Sequence, residues 1–215
     1  MDFPGFDAKD FCYFLDNDKA EKVDYIKGTL HPRLREFGWE LRDELNKAIS
    51  VEFRSQLRSG RWYKNPWGSW VSLIYPDEPQ RSDNKRPRLS VFLDENECIV
   101  GYQQNIWRPR WQRLASRHSK ALANRMNEAA KGRPKLEFIL SHWVDHERRT
   151  TTFDSAEELI HAAGEWGQDF VTVGKVYPFP QKADFLTSPA FGEEALAIVK
   201  KAFPIYRFAF EKSTG

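Results

Sequence analysis

The sequence is poor in cysteine and has no long apolar run, and each shortage excludes a class of protein. Its 215 residues contain two cysteines, Cys12 and Cys98, which are too few for a disulfide framework and lack the close spacing of a zinc site. No apolar run approaches the roughly 20 residues that cross a bilayer. The opening MDFPGFDAKDF has neither the basic nor the apolar region of a secretory signal. We therefore expect a cytoplasmic protein that makes no membrane contact.

Recognisable catalytic motifs are also missing from the sequence. There is no G-x-S-x-G elbow, and the glycines do not cluster into a phosphate-binding loop. His142 and His146 have the four-residue spacing of a metal pair on a helix, but the preceding KLEFIL alternates as a strand does. In a strand that spacing separates the two rings by about 13 Å. We therefore predict no catalytic residues, no metal site and no cofactor.

Charge is distributed unevenly along the chain. Lys and Arg outnumber Asp and Glu by nine between Arg54 and Arg149, whereas the remainder carries seven more acidic than basic residues, so that the net charge is +2. A basic region of this kind suggests a polyanion as partner. Folding can also interleave these cations with the acidic flanks, in which case no basic patch would form.

The apolar periodicity predicts a single α+β domain over residues 1–215. Two N-terminal helices are expected within residues 7–57, the first beginning at the N-cap Asp7 and ending near Gly28. The sheet and the remaining helices are expected within residues 69–210. The predicted order is ααβββαβαβα, which gives a mainly antiparallel sheet of about five strands with helices packed on it.

Three strands can be placed closely from their aromatic and β-branched residues. They are predicted at 69–75, 88–93 and 97–104, and the last two should form an antiparallel hairpin across the tight turn DEN at 94–96. The segments KLEFILSHWV and DFVTVGKVY are expected to supply two more strands.

The remaining helices have recognisable starts or stops. A basic helix is predicted from about Arg110 to Lys131. The segment FDSAEELIHAAGEW should form a short helix with Asp154 as N-cap and Glu157 as its capping-box partner. A final helix is expected to run until Pro204 ends or kinks it.

Cations alternate with aromatic rings in two stretches, RSGRWYKNPWGSW and NIWRPRWQRLASRHSK. Rings beside cations can stack on bases while the cations hold phosphates. On a helix, Arg110, Arg113 and Arg117 fall at i, i+3 and i+7 and form one cationic ridge. The rings predicted to stack on a base or line a pocket are Trp62, Tyr63, Trp67 and Trp70. The cations predicted to bind phosphate are Arg58, Arg61, Lys64, Arg110, Arg113 and Arg117.

The same residues also fit structural roles. Aromatic side chains dominate protein cores, so Trp70 would then begin a core strand and Trp111 would pack the basic helix down, with the arginines solvated. Tryptophan and arginine are also enriched at the hot spots of protein–protein interfaces. The sequence leaves these alternatives open.

Four segments carry a resemblance to a known family, and together they span most of the chain: FDAKDFCYFL, IKGTLHPRLREFGWELRDEL, KNPWGSWVSLI and the closing VGKVYPFPQKADFLTSPAFGEEALAIVKKAFPIYRF. They resemble the YktB-like family of uncharacterised bacterial proteins. The residues that match the family's N-P-x-x-[ST]-W-V-A segment are Asn65, Pro66, Ser69, Trp70 and Val71. A basic HARR-like run of that family is replaced here by RSGRWYK. This resemblance implies a similar length and order of elements and no established activity.

Residues 58–104, with 170–210 more weakly, resemble the N-terminal DNA-binding domain of the modified-cytosine restriction subunit McrB. That domain flips a methylated cytosine into a pocket of aromatic rings, which replace the lost base stack. The resemblance implies that Trp70 and one of Trp62 or Tyr63 line such a pocket, and that the protein acts in restriction or defence. Two departures weaken the match: the Pro-Trp pair is three residues out of register, and the N-terminal helices and the basic helix have no counterpart.

The sequence therefore favours a non-catalytic nucleic-acid-binding module, with DNA as the expected partner and a modified or flipped base as a candidate target. One alternative is an uncharacterised enzyme or small-ligand-binding protein whose pocket is built from the same aromatic rings. Another alternative is a protein-interaction domain of a larger assembly, which would bind a protein partner or a fused domain through its arginine–tryptophan face.

Overall fold

The computed structural model has an α+β architecture with one sheet. It describes residues 1–15, 18–59, 68–75, 87–106, 109–144, 147–165 and 170–213. No helix among these residues has both the length and the hydropathy that crossing a membrane requires.

Among the described residues, seven strands form the sheet in the order β1-β2-β3-β4-β7-β5-β6. The strands are β1 (Arg54–Ser59), β2 (Ser69–Ile74), β3 (Arg88–Leu93), β4 (Glu97–Asn105), β5 (Glu137–Val144), β6 (Glu147–Phe153) and β7 (Phe170–Pro178). The pairs β1–β2, β5–β6 and β5–β7 are antiparallel. The α+β class with one sheet is thus confirmed, but the expected number of about five strands is wrong.

The two strands that sequence analysis missed, β1 and β6, are the first and last strands of the sheet. Their sequences, RSQLRS and ERRTTTF, contain one aliphatic and one aromatic residue respectively and no apolar alternation. A strand at the edge of a sheet is commonly polar, because it has a neighbour on one side only and must resist pairing with other chains. The expected helical region, 7–57, therefore extends too far, since its last four residues belong to β1.

The hairpin between β3 and β4 is confirmed. The backbone N–H of Asp94 donates to the carbonyl of Glu97 across the turn (3.1 Å). The Asp94 carboxylate also accepts from the N–H groups of Asn96 and Glu97, at 2.9 and 3.0 Å. Asp94 therefore closes the turn through both its backbone and its side chain, as Asp does in Asx turns.

The helices occupy most of the ranges expected for them. They are α1 (Lys9–Cys12), α2 (Lys19–Tyr25), α3 (His31–Ile49), α4 (Pro109–Ala130), α5 (Ala156–Glu165), α6 (Ala183–Leu186) and α7 (Ala190–Ser213). A π-helical turn, Ile26–Leu30, joins α2 to α3, so Gly28 lies within a continuous helical segment and does not end it. Pro204 likewise lies inside α7 and does not end that helix.

The start of α5 differs by one residue from the predicted capping box. Ser155 Oγ accepts from the N–H of Glu158 (3.2 Å), and the Glu158 carboxylate accepts from the N–H of Asp154 (3.2 Å). Ser155 is therefore the N-cap, and the Glu158 side chain reaches back to the N–H of the residue before it, Asp154, rather than to that of Ser155 as in a capping box. The predicted partner, Glu157, instead accepts from the side-chain amide of Asn127.

The chain divides into two compact units, and the first comprises Met1–Pro76, Ser90–Val100 and Val176–Ala197. In this unit α3 packs against β1 and β2. Gly38 permits the close approach, because a Cβ at that position would lie 2.3 Å from Val71 Cγ2. The packing of α3 thus depends on a residue without a side chain.

Aromatic rings fill the core of the first unit beneath α3. Phe37 of α3 contacts Phe3, Phe6 and Phe191, with ring centroids 4.2 to 5.8 Å apart. All four side chains are buried. Such pairs stabilise a fold by about 0.5–1.5 kcal/mol each beyond the area they bury, so this cluster ties the chain's first residues to α3 and α7.

The second unit comprises Asp77–Leu89, Gly101–Lys175 and Ile198–Gly215. Within it α5 packs on α4, β5 and β6.

Strand β4 carries buried polar groups on both of its faces, since successive residues of a strand point to opposite faces. The Tyr102 hydroxyl donates to Gln104 Oε1 (2.7 Å). Burial raises the pKa of Tyr102 above its usual range, so the hydroxyl stays protonated.

Candidate nucleic-acid interface

Helix α4 occupies the range expected for the basic helix and carries the three arginines of the predicted ridge. Between Pro109 and Asn127 it contains five Lys or Arg residues and no Asp or Glu. Its apolar residues fall on one side, and the buried ones are Trp111, Leu114, Leu122, Ala123 and Met126. Trp111 therefore holds the helix down through its buried ring, which leaves the opposite side of α4 to the cations.

Four of these cations are exposed. Three of them form what we call the basic face: Arg113, Arg117 and Lys120. Within the described part of the chain, no hydrogen bond or ion pair engages their side chains. Arg110, the first residue of the predicted ridge, is half-buried and has interactions of its own. The basic face therefore extends from Arg113 toward the C-terminal half of the helix.

A kink divides the basic face. His118 has φ −134° and ψ 18°, which are not helical values. Arg113 and Arg117 precede the kink and lie about 6 Å apart along the helix axis, since an α-helix rises 1.5 Å per residue. Lys120 follows the kink. The spacing of the two arginines on one straight segment agrees with the ridge expected from i, i+3 and i+7 periodicity.

Arg125 lies further along α4 and is engaged by the protein itself. Its guanidinium carbon is 4.8 Å from the centre of the Phe208 ring, a cation–π contact. Nearby, Arg207 is paired with Glu211 at 2.9 Å. These groups line a groove of about 290 Å³ between α4 and α7. We therefore do not count Arg125 in the basic face.

Trp70 lies in the core of the first unit. Its side chain is 8% exposed and packs with Phe92, Ile99 and Val176, and the Trp70 and Phe92 ring centres are 6.2 Å apart. This placement fits the structural role that the sequence left open. The role of Trp70 as a pocket wall remains a prediction.

The other candidates from the tryptophan-rich stretch lie outside the described residues. They are Arg61, Trp62, Tyr63, Lys64 and Trp67. The backbone of Arg58 belongs to β1 and pairs with that of Trp70, but its side chain is outside the described part. Their predicted roles in stacking and phosphate binding therefore stay predictions.

The last serine of that stretch belongs to a buried histidine–serine pair that sequence analysis did not find. A hydrogen bond of 3.4 Å links His31 Nε2 at the start of α3 with Ser69 Oγ at the start of β2. His31 is 5% exposed and Ser69 is fully buried. The two residues are 38 positions apart, so no sequence spacing could have predicted their contact. Because both groups are closed off from solvent, the pair fits a structural tie better than a nucleophile and base.

The histidine of this pair is held neutral. Burial, together with the positive charges of Arg35 and Lys27, lowers the pKa of His31 to about 4. In the unfolded chain the same group titrates near a pKa of about 6.5. Between these values the unfolded state binds a proton that the folded state does not. This contribution to stability is therefore complete above a pH of about 6.5 and declines as the pH falls toward about 4.

We expect the free energy of unfolding to fall by about 2 kcal/mol between about pH 7 and pH 5 through His31 alone. Urea unfolding at several pH values, followed by circular dichroism, measures this decline. The His31→Gln variant keeps a polar group near Ser69 but cannot titrate, and its stability should change correspondingly less over the same interval. An equal decline in the variant and the wild type would assign the pH dependence to other groups.

Two further kinds of site, a metal site and a nucleophilic Cys98, receive no support from the geometry of the described residues. Among the described residues, no three His, Cys, Asp or Glu side chains come together as metal ligands would. His142 belongs to β5, as predicted, and His146 is outside the described part. Burial raises the pKa of the Cys98 thiol well above its usual value, which disfavours the thiolate that a nucleophile requires.

Comparison with known proteins fits one of the two resemblances in part. No family model matches the chain. It is 26% identical over 102 residues to a UPF0637 protein of Shouchella clausii (strain KSM-K16), an alignment that covers 46% of this chain and 47% of that protein. The chain thus spans about half the length of the curated relative it matches. UPF0637 proteins are an uncharacterised bacterial family, which agrees loosely with the YktB-like resemblance, whereas the McrB-like resemblance is not shown.

Proposed function

We propose that this protein is a non-catalytic nucleic-acid-binding module that binds DNA through the basic face of α4. The observation that carries the proposal is the placement of Arg113, Arg117 and Lys120. Within the described part of the chain these side chains are exposed and unpaired, on a helical segment that contains no carboxylate.

Unpaired surface cations suit a polyanion for an energetic reason. A cation that is already in an ion pair must give up its partner before it can contact a phosphate. An unpaired, solvated cation has no such cost, and its contact with DNA releases condensed counterions into solution. Two arginines about one helical turn apart, followed by a lysine, can therefore follow a phosphate backbone and supply affinity without reading sequence.

Recognition of a modified or flipped base is a separate part of the proposal. It rests on the McrB-like resemblance, which assigns Trp70 and one of Trp62 or Tyr63 to an aromatic pocket. Base reading would add specificity to the phosphate contacts made by α4, since phosphate contacts position a protein and base contacts specify the site. The YktB-like resemblance adds a family relationship to the proposal but no activity.

The test is a charge-removal series in a DNA-binding assay. The triple variant Arg113→Gln/Arg117→Gln/Lys120→Gln should bind a labelled duplex at least about tenfold more weakly than the wild type at low salt. Its plot of log affinity against log salt concentration should be shallower by about 2 to 3 units, because each lost phosphate contact removes about 0.9 from the slope. Fluorescence anisotropy between about 50 and 200 mM salt measures both quantities.

The control variant removes an equal number of positive charges, of the same residue types, from another helix. Arg35→Gln/Arg42→Gln/Lys47→Gln changes two arginines and one lysine on α3 and should leave both affinity and salt slope near the wild-type values. Equal losses in the two triple variants would indicate a response to net charge, and no salt-sensitive binding by the wild type would refute the proposal. A methylated duplex and a single-stranded RNA, tested in parallel, report on base modification and on the choice of nucleic acid.

A further inference from the structure

The second unit contains a cavity that the basic face of α4 does not use. Its volume is about 530 Å³, and it lies where the end of α4 meets the strands β5 and β6. Pockets of about 300–1,000 Å³ that combine an apolar floor with a few polar groups are the usual form of small-molecule sites. The size of this cavity therefore suits a compact ligand and is too small for a macromolecule.

The walls of the cavity are held in place by hydrogen bonds. The Lys201 ammonium donates to the backbone carbonyls of Lys131 and Pro134, at 2.5 Å each, and so clamps the turn that follows α4. On another side, the Asn127 side-chain oxygen accepts from the N–H of Ala156 at the start of α5 (3.3 Å). A cavity whose walls are already fixed loses less conformational entropy when it binds a ligand.

The floor of the cavity is apolar. Leu136, just before β5, and Phe138, near its start, are buried beneath it, and Phe153 at the end of β6 is half-buried. Phe138 and Phe153 are paired in the register of β5 and β6. A ligand with an aliphatic or aromatic group can therefore bury that group against two neighbouring rings.

The rim of the cavity carries one available charge of each sign. Lys131 is paired with Glu128 at 2.6 Å, and Glu137 has interactions of its own. Lys135 and Asp154 are both exposed, and among the described residues no hydrogen bond or ion pair engages either side chain. The start of α5 offers little to an anion, because the N–H groups of Ala156 and Glu158 already have acceptors.

We propose that this cavity binds a small zwitterion with an apolar side group, which is the chemistry of a free apolar or aromatic α-amino acid. Its carboxylate would pair with Lys135, its ammonium with Asp154, and its side group would pack on Phe138 and Phe153. A simple anion would meet the Asp154 carboxylate, and a simple cation would meet the Lys135 ammonium. A ligand with both charges satisfies both groups.

The test is a titration followed by amide chemical shifts in NMR spectra, with L-phenylalanine as the probe. Two analogues each lack one charge: N-acetyl-L-phenylalanine lacks the ammonium and L-phenylalanine amide lacks the carboxylate. At a pH at which the amine of the amide is charged, we expect saturable shifts around the cavity with a Kd of about 1 mM for phenylalanine. Each analogue should bind about two- to fivefold more weakly, as the loss of one solvent-exposed ion pair implies.

Two variants assign the charges to their residues. Lys135→Met should remove the preference for phenylalanine over its amide, and Asp154→Asn should remove the preference over the N-acetyl form. Because both side chains are exposed, neither change should disturb folding, which circular dichroism checks. The proposal is overturned if phenylalanine shifts no cavity resonances, if the analogues bind as well as phenylalanine, or if the variants keep both preferences. The triple variant of the basic face should bind phenylalanine as the wild type does, so this result is independent of DNA binding.

Discussion

Replacing Asp10 with alanine should lower the free energy of unfolding by about 3 kcal/mol, because it leaves a partly buried cation without its partner. The Asp10 side chain is fully buried, whereas Arg33 is 29% exposed. One carboxylate oxygen accepts from Arg33 Nη1 and from the backbone N–H of Asp7, the latter at 2.7 Å. The other accepts from the Tyr25 hydroxyl at 3.0 Å. Removing one member of a buried ion pair typically costs about 3–5 kcal/mol, and the exposure of Arg33 places this case at the lower end.

Urea unfolding of the wild type and Asp10→Ala measures the difference, and a loss of about 3 kcal/mol raises the unfolding equilibrium constant by about two orders of magnitude. Asp43→Ala is the matched control, since Asp43 pairs with Arg42 at 2.7 Å but is 52% exposed. A surface pair of this kind contributes at most about 1 kcal/mol. If the two variants lose equal stability, the buried network around Asp10 is no stronger than an ordinary surface pair.

The Asp10 network also shows what apolar periodicity misses. Apolar periodicity predicted helices in this region, and the buried apolar residues of α3 recur every three or four positions. That periodicity carried no information on which acidic residue would be buried beside α3. Asp10 stands in sequence among other charged residues near the N-terminus, and its role follows from contacts with Tyr25 and Arg33, which are 15 and 23 positions away. Burial and the Asp10 charge together raise the pKa of Tyr25, so its hydroxyl remains a donor.

Elements with strong local signals were predictable, and elements defined by their neighbours were not. β3, β4 and their turn have apolar residues and an Asp turn, and they lie where the sequence placed them. β1 and β6 lack that pattern because they are edge strands. Gly28 and Pro204 are local stop signals, but tertiary packing overrides the cost of a glycine or a proline within a helix.

The same distinction between local sequence signals and tertiary contacts applies to the candidate interface. The spacing of Arg113 and Arg117 sufficed to place them together, because helical periodicity is a local property. The kink at His118 and the engagement of Arg125 by Phe208 depend on packing and could not be read from spacing. The apolar floor of the cavity arises from the register of β5 with β6. That register could not be predicted because β6 itself was not recognised.

Replacing Gly101 with alanine should destabilise the protein by about 3–5 kcal/mol, the combined cost of backbone strain and overpacking. Gly101 lies in β4 with φ +153°, a conformation that residues with a side chain rarely adopt. A Cβ at this position would lie 2.4 Å from the carbonyl oxygen of Val173 and 2.6 Å from the Cα of Gly174. Both atoms belong to the backbone of β7, the neighbouring strand, so no side-chain rotation can relieve the contact.

Alanine substitutions at two other glycines of the same unit distinguish the cost of backbone strain from the cost of steric crowding. Gly132 has φ +75°, but a Cβ at that position would have no neighbouring atom within 4 Å, so Gly132→Ala should cost only about 1–2 kcal/mol of backbone strain. Gly164 lies within α5 in open space, and Gly164→Ala should stabilise the helix by about 0.5–1 kcal/mol. Thermal unfolding should therefore rank the variants Gly164→Ala, Gly132→Ala and Gly101→Ala from most to least stable. If Gly101→Ala loses no more stability than Gly132→Ala, β4 and β7 can move apart at this point. Backbone strain alone would then explain why a glycine is needed at position 101.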